Sequence, residues 1–274
     1  MARRRSAALH APLALVIAGS DPSGGAGLEL DLKVQALFGV HAAAIASCHT
    51  TQTAEGVVAV VPSDGRRAER QFALLRAATP WRALQVGMVH DRAWIDRVAR
   101  WAQQDRSVPL VLDPVVAPTR GPRTLAPALV EHYRRRLLPL ATLLTPNADE
   151  AALLLGWSRG RVQREVDAAL AALLALGPQA VLLKGGHFAG EVDVVDRLRG
   201  AFAPVDFRKP RRRGRAPRGT GCALAAAITS LLARGVALTP AVAAAEAWID
   251  AARAAARTVG KGRPYLALVP PRAV

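Results

Sequence analysis

Cysteine is nearly absent from the 274-residue chain, which has Cys48 and Cys222. Two thiols are too few for a disulfide framework or a cysteine-rich metal site, and they suit a reducing compartment. Long apolar stretches are missing as well. Hydrophobic residues make up 51% of the sequence, yet no run reaches the ~18 uninterrupted apolar residues of a membrane span. No long apolar segment follows the N-terminal arginines Arg3, Arg4 and Arg5, so a secretion signal is not expected either. The reading is a soluble, cytoplasmic protein without a membrane. Linkers rich in Ser, Gly or Pro are lacking, so residues 13–274 read as one large domain behind a basic tail, 1–12, expected to be disordered. Acids are scarce beside bases, with 21 Asp and Glu against 37 Lys and Arg, for a net charge of +16. Such a charge would suit a polyanion. It is concentrated, however: Arg208, Lys209, Arg211, Arg212, Arg213, Arg215 and Arg218 place seven cations in eleven residues without an acid. No nucleic-acid motif accompanies them and aromatics amount to 4%, so nucleic acid is disfavoured as a ligand.

What the chain does have is a repeating alternation. Short apolar runs at 13–18, 40–47, 57–61, 83–86, 110–112, 142–144 and 180–183 read as strands, the first of them buried on both faces. Between them, helical patterns fall at about 26–38, 66–77, 92–104, 127–138, 148–155 and 164–176. This alternation predicts an α/β fold, a mostly parallel central sheet with helices on both faces. The pattern breaks at 192–205, which reads as a hairpin or an edge, and a long Ala-rich helix follows at about 240–257. In sheets of this kind ligands gather beyond the carboxyl ends of the strands. Gly19, Gln52, Met88, Asp113, Asn147 and Lys184 all fall just past predicted strand ends, so these scattered residues are expected to converge on one crevice.

Two glycine-rich segments carry the chemistry. In Pro217-Arg218-Gly219-Thr220-Gly221-Cys222 a basic loop turns into the apolar helix that begins at Ala223. Open backbone N–H groups and the positive end of the helix dipole then converge on one point, a place to hold a phosphate. Cys222 lies in the first turn, where the dipole is expected to lower a thiol pKa and make it a base or nucleophile. Taken alone, the same residues also read as a capped helix with Cys222 as a small packed hydrophobe. The first strand leads into a loop with four glycines between Gly19 and Gly27. Its spacing is neither the dinucleotide G-x-G-x-x-G nor a P-loop, which would need a closing Gly-Lys-Ser/Thr.

Together these segments resemble the hydroxymethylpyrimidine and phosphomethylpyrimidine kinases, a branch of the ribokinase-like superfamily. The resemblance rests on Ala18-Gly19-Ser20-Asp21-Pro22-Ser23-Gly24-Gly25-Ala26-Gly27 with Asp31-Leu32-Lys33, on Asp113-Pro114-Val115-Val116 and on Leu144-Thr145-Pro146-Asn147 with Glu150. Lys184-Gly185-Gly186-His187 and Gly219-Thr220-Gly221-Cys222 complete it in the family's order over about 13–260. It implies a ribokinase-like fold, Mg²⁺-ATP as phosphoryl donor, a homodimer and two successive phosphorylations of an aminopyrimidine. It also implies that Gln52 hydrogen-bonds the ring in a pocket with Gly19, Asp31, Met88 and Val115. Met88 and Val115 read equally well as ordinary core. Asn147 and Glu150 are implied to organise Mg²⁺, partly through water, although without the family they read as a capping box. Lys184, with Thr220 and Arg218, is implied to meet the ATP phosphates; Gly219, Thr220 and Gly221 are implied to form the anion hole, with Cys222 as the base.

The chain departs from the pattern in several places. Arg218 stands where the family has His, the preceding flap is unusually basic, and Arg120-Gly121-Pro122 replaces a Ser-Gly-Asp segment. Gly260-Lys261-Gly262-Arg263-Pro264 matches the usual close only in part. These changes are expected on the nucleotide side, with the pyrimidine side intact. The basic run is expected either to form a self-repelling lid that orders over ATP or to be a solvated loop. Two other functions compete: a pyridoxal kinase of the same superfamily, and a non-catalytic ligand- or nucleic-acid-binding protein. The joint presence of Asn147, Glu150, Lys184 and Cys222 argues against the latter.

Overall fold

A computed structural model describes residues 11–53, 55–115, 126–188, 192–212 and 214–272. Most of the expected N-terminal tail, Val116, Arg120-Gly121-Pro122 and Arg213 lie outside the described residues. Pro12 is already tied down, since its carbonyl accepts from the His41 N–H.

The strands are β1 (Leu13–Ser20), β2 (His41–Thr53), β3 (Gly56–Pro62), β4 (Ala83–Val86), β5 (Leu110–Leu112), β6 (Leu143–Leu144), β7 (Ala180–Leu183), β8 (Asp193–Gly200) and β9 (Phe202–Pro210). They form one nine-stranded sheet in the order β3-β2-β1-β4-β5-β6-β7-β8-β9. The run from β2 to β7 is parallel, and antiparallel pairings close both ends. The chain leaves β1 for β2 on one side and later returns to β4 on the other, so the topological switch point lies at β1 and β4, where ligands of such sheets bind.

Alternate residues explain why the short apolar runs become buried strands. In β5 and β7, Val111, Ala180 and Leu182 pack with one core, whereas Leu110, Leu112, Val181 and Leu183 pack with the other. The first core holds α1 (Gly27–Leu37), α8 (Thr220–Ala233) and α9 (Leu238–Ala254) against the sheet. Ala223, Ala225, Ala226 and Ala227 are fully buried, and their small side chains let α8 lie close to the strands. On the other face, α2 (Gly65–Ala78), α3 (Arg92–Gln103), α4 (Pro127–Leu137), α5 (Ala148–Leu155), α6 (Arg159–Arg164) and α7 (Val166–Ala175) pack around Trp94, Ile95, Tyr133 and Leu154. Phe72 stacks on Trp101 there at 4.4 Å between ring centroids. Among the described residues no helix is long and apolar enough to cross a membrane.

Three sequence expectations change. β2 does not end at residue 47 but runs through the polar segment to Thr53, because Thr50, Thr51 and Thr53 suit a strand and pair with β3 in a hairpin. Gln52 therefore sits within a strand, opposite Val57. The expected helix at 164–176 is α6 and α7, separated at Glu165 by a non-helical backbone. The break at 192–205, expected as a hairpin or an edge, is the hairpin of β8 and β9 at the end of the sheet, but it extends through Pro210 and draws Arg208 and Lys209 out of the presumed loop into a strand.

Candidate active site

The glycine loop after β1 is built to meet the N-terminus of α8. Gly27 has φ +57°, and a Cβ there would overlap the Gly19 carbonyl; Gly219 has φ +72°, and a Cβ there would overlap the Gly25 carbonyl. These are left-handed conformations combined with close backbone approach, which glycine alone tolerates. Buried Asp21 ties the loop, its Oδ1 accepting from the Ser23 N–H and hydroxyl at 2.9 and 2.7 Å. Lys33, from the downstream Asp-Leu-Lys, donates to the Gly24 carbonyl. A cavity of about 280 Å³ opens where loop, helix and strand ends meet.

At the bottom of that cavity α8 begins at Gly219 without a side-chain cap, so the first-turn amides of Thr220, Gly221 and Cys222 point out with no helical partner. A Cβ on Gly221 would stand 3.1 Å from Lys184 Nζ and 3.6 Å from Asp113 Oδ2. The pair therefore lies directly over the helix terminus. Lys184 Nζ is 3.0 Å from Asp113 Oδ1 and 3.9 Å from Glu150 Oε2. Thr145 also donates to Asp113, at 2.9 Å. Burial works to lower the Lys184 pKa, but Asp113 and Glu150 together hold it above the ordinary lysine value.

The structure corrects the expectation for Cys222. Its thiol is pushed well above the usual value, first by burial and then by Asp31 and Asp113. The Gly27 N–H and Lys184 pull the other way and lose, because Lys184 already has Asp113 at 3.0 Å and offers little unspent charge. The resting group is a thiol, not a thiolate.

Asn147 and Glu150 do form a capping box at the start of α5. Asn147 Oδ1 accepts from the Asp149 and Glu150 N–H groups at 2.9 and 3.0 Å, while Glu150 Oε2 accepts from the Asn147 N–H at 2.8 Å. Burial pushes Glu150 up to about 8 against the pull of Lys184. A buried acid that one lysine leaves undercompensated, beside an amide oxygen, is a donor set of hard oxygens that fits a divalent cation. Among the described residues no three His, Cys, Asp or Glu side chains converge on one point, so such a cation would take most of its ligands from water and phosphate, as Mg²⁺ does.

The other end of the cavity has a different character. Cys48 Sγ lies 3.6 Å from Met88 Sδ, and a Cβ on Gly19 would touch both sulfurs, at 2.9 and 3.3 Å. This gives a flat, polarisable wall, with Met88 and Val115 half-buried on the cavity rather than in the core. Burial raises the Cys48 thiol to about 11, so it is inert. Asp31 on α1 also lines the cavity; burial holds its carboxyl well above the usual range despite a hydrogen bond from Gln85, and among the described residues its Oδ1 has no partner. Gln52 lines the cavity from β2.

The family model for phosphomethylpyrimidine kinase matches residues 21–266. The chain belongs to this family. The hydroxymethylpyrimidine/phosphomethylpyrimidine kinase of Streptomyces coelicolor is 38% identical over 255 residues, 92% of either protein. The phosphomethylpyrimidine kinase structure from Clostridium difficile aligns with a TM-score of 0.74 and 33% identity, covering 88% of this chain and 98% of that one. A Bacillus subtilis pyridoxal kinase in an ADP complex gives a TM-score of 0.84 at 27% identity, covering 93% and 96%. The ribokinase-like fold expected from the sequence is thereby shown.

Within this family frame, two departures stand elsewhere than expected. Arg218 is not an isolated cation: its Nη2 donates to Gln52 Oε1 at 2.8 Å and lies 3.4 Å from Asp21 Oδ2. Its backbone N–H is held by the Pro264 carbonyl at 2.9 Å, beside the bridge to Tyr265. The basic run is not self-repelling either. Arg208 meets Asp193, Lys209 meets Asp196 and Glu246, Arg212 meets Asp250 and Arg215 meets Glu55. Arg211 donates to the carbonyls of Gly186 and Phe188. Sequence reasoning missed these acids, and gave Asp113 no role, because their partners are remote in the chain. The one local hint was Asp113-Pro114 at a strand end.

Proposed function

We propose that the chain transfers the γ-phosphoryl group of ATP to the hydroxymethyl oxygen of 4-amino-5-hydroxymethyl-2-methylpyrimidine, and in a second turnover to the phosphate of the monophosphate formed. The observation that carries this reading is one shared cavity, lined both by the start of α8 with Lys184 and Cys222 and by Gly19, Met88, Asp31, Val115 and Gln52.

The amides of Gly219, Thr220, Gly221 and Cys222 would stabilise charge on the transferring group, with Thr220 and Lys184 at the ATP phosphates. Cys222 is placed to take the hydroxyl proton as the oxygen bonds to phosphorus and ADP leaves. A resting thiol must first shed its own proton, so only the thiolate fraction of Cys222 acts as base; a loose transition state draws little on the nucleophile, which limits what that scarcity costs. Mg²⁺, when bound, neutralises charge on the phosphate oxygens, and Asn147 and Glu150 would hold it, partly through water. Residues 13–274 work as one domain, a reading supported by the single sheet. The two free thiols support a cytoplasmic setting. Val58 and Val61, 71% and 59% exposed on the outer strand β3, support a homodimer, which sedimentation velocity tests.

A second reading, a pyridoxal kinase, is supported by the TM-score of 0.84 to the Bacillus subtilis enzyme. One ATP-consumption assay, run in parallel with the hydroxymethylpyrimidine, its monophosphate and pyridoxal, separates the two. Turnover of both pyrimidines is expected. Turnover of pyridoxal alone would replace this reading, and no turnover with any of the three would leave a binding protein.

A further inference from the structure

Arg218 has a side chain 10% exposed, and its Nη2 meets both Gln52 Oε1 and Asp21 Oδ2. A guanidinium has donors only, so the Gln52 amide can meet it only with its oxygen. The amide NH₂ is thereby turned away from Arg218, and among the described residues it has no protein partner although Gln52 lines the cavity. Arg218 itself is not free to follow. Its main chain is bonded to Pro264, and its Nε packs over Gly25, which the Tyr265 ring also covers. Asp21, locked by Ser23, faces the same nitrogen from the other side. An unanchored glutamine flips between donor and acceptor, and a substrate that selects one state bears the cost of fixing it. Here the choice is made before substrate arrives.

We propose that Arg218 is a positioning residue that fixes the Gln52 amide so that it offers an N–H donor to the cleft, selecting substrates whose ring edge presents a nitrogen lone pair. The proposal rests on the reading that Gln52 holds the pyrimidine ring. It adds that the orientation of the amide, and so the kind of ring edge accepted, is set by a residue that does not touch substrate.

The test is calorimetric titration of the full chain with the hydroxymethylpyrimidine and, separately, with ADP. The variants are Gln52→Ala, Gln52→Glu, Arg218→Ala, Arg218→Lys and the Gln52→Ala/Arg218→Ala pair. Gln52→Ala is expected to weaken pyrimidine binding ~10-fold. Arg218→Ala should weaken it ~5-fold in the parent but less than about 2-fold in the Gln52→Ala background, because the two act through one contact. Gln52→Glu keeps an oxygen for Arg218 and loses the donor, so it should bind the pyrimidine at least ~10-fold more weakly. Arg218→Lys should fall between parent and Arg218→Ala, and ADP affinity should stay within about 2-fold throughout. Additive effects in the pair overturn the proposal while leaving the Gln52 reading intact. So does parental affinity in Gln52→Glu, or an ADP affinity that falls in Arg218→Ala. Parental affinity in Gln52→Ala removes the reading of Gln52 and the proposal with it. Should Arg218→Ala fail to fold, Arg218→Lys and Gln52→Glu decide alone.

Discussion

At Cys222 two fields oppose each other, and the outcome sets how the reaction responds to pH. The Gly27 N–H and Lys184 favour a thiolate, whereas burial with Asp31 and Asp113 favours the thiol and prevails. For a base whose proton leaves only well above its ordinary pKa, the active form is scarce at neutral pH and grows with alkalinity. We expect kcat to climb through the range above pH 7, with slope approaching one on logarithmic axes. Cys222→Ala should lose ~10²–10⁴-fold in kcat, with both KM values within about 2-fold of the parent. A kcat that is flat with pH, or near parental in Cys222→Ala, would leave catalysis to the amides, the metal and Lys184. The position of Cys222 was legible in the Gly-Thr-Gly-Cys spacing. Its pKa was not, since Asp31 and Asp113 reach it from 191 and 109 residues away in the chain, the differences between 222 and 31 and between 222 and 113.

At the scale of elements, the N-terminus of α5 serves folding and chemistry with the same two side chains, and substitutions can separate them. Serine is as good a cap as asparagine, whereas alanine is not. Asn147→Ser should therefore stay within ~0.5 kcal/mol of the parent in urea unfolding, and Asn147→Ala should lose ~1 kcal/mol. Both lack the amide oxygen at this position, so both should shift the Mg²⁺ dependence of turnover; an Mg²⁺ titration that follows stability instead would make Asn147 a cap only. Glu150→Gln should shift the same titration and leave the pyrimidine KM within about 2-fold. At the start of α8 the demand is on the backbone. Gly219→Ala places a Cβ against the Gly25 carbonyl at a positive φ, and should cost at least ~2 kcal/mol in urea unfolding. Strands and helices on either side of these termini were readable from apolar runs, because alternate residues of β5 and β7 feed two cores. The hairpin of β2 and β3 was not, because its polar threonines look like loop until a second strand lies beside them. The contact of Arg218 with Gln52 was hidden for the same reason, the two lying 166 residues apart in the chain.

Over the whole molecule, the sheet gathers carboxyl groups into places that solvent reaches poorly, and stability should carry their mark. Burial lifts Glu150 to about 8, and lifts Glu246 to about 7 with help from Asp196 and against Lys209. An acid with a raised pKa binds its proton more tightly in the folded than in the unfolded chain, so between its ordinary value near 4.5 and its folded value stability falls as pH rises. We expect the melting temperature without ligands to decline from pH 5 to 8, and Glu246→Gln to flatten the part below about 7. Asp64 and Asp105 lie below their ordinary value of 3.8, through hydrogen bonds from the Arg66 amide and from the Ser107 hydroxyl respectively, and so act only in stronger acid. Lys209 is the element on which this balance turns. It joins β9 to Asp196 on β8 and Glu246 on α9 at 2.8 and 2.5 Å, and burial would lower its pKa were the two acids not holding it up. Lys209→Met removes the charge while keeping the stem's bulk, which leaves two buried carboxyl groups facing each other. At pH 8, above the value of about 7 that Glu246 has with Lys209 in place, the carboxyl left buried without its cation should cost about 3–5 kcal/mol; at pH 5 a protonated Glu246 relieves the repulsion and the loss should be clearly smaller. Urea unfolding of parent and Lys209→Met at the two pH values measures the difference, and an equal loss at both would mean that Lys209 contributes packing of its stem rather than charge.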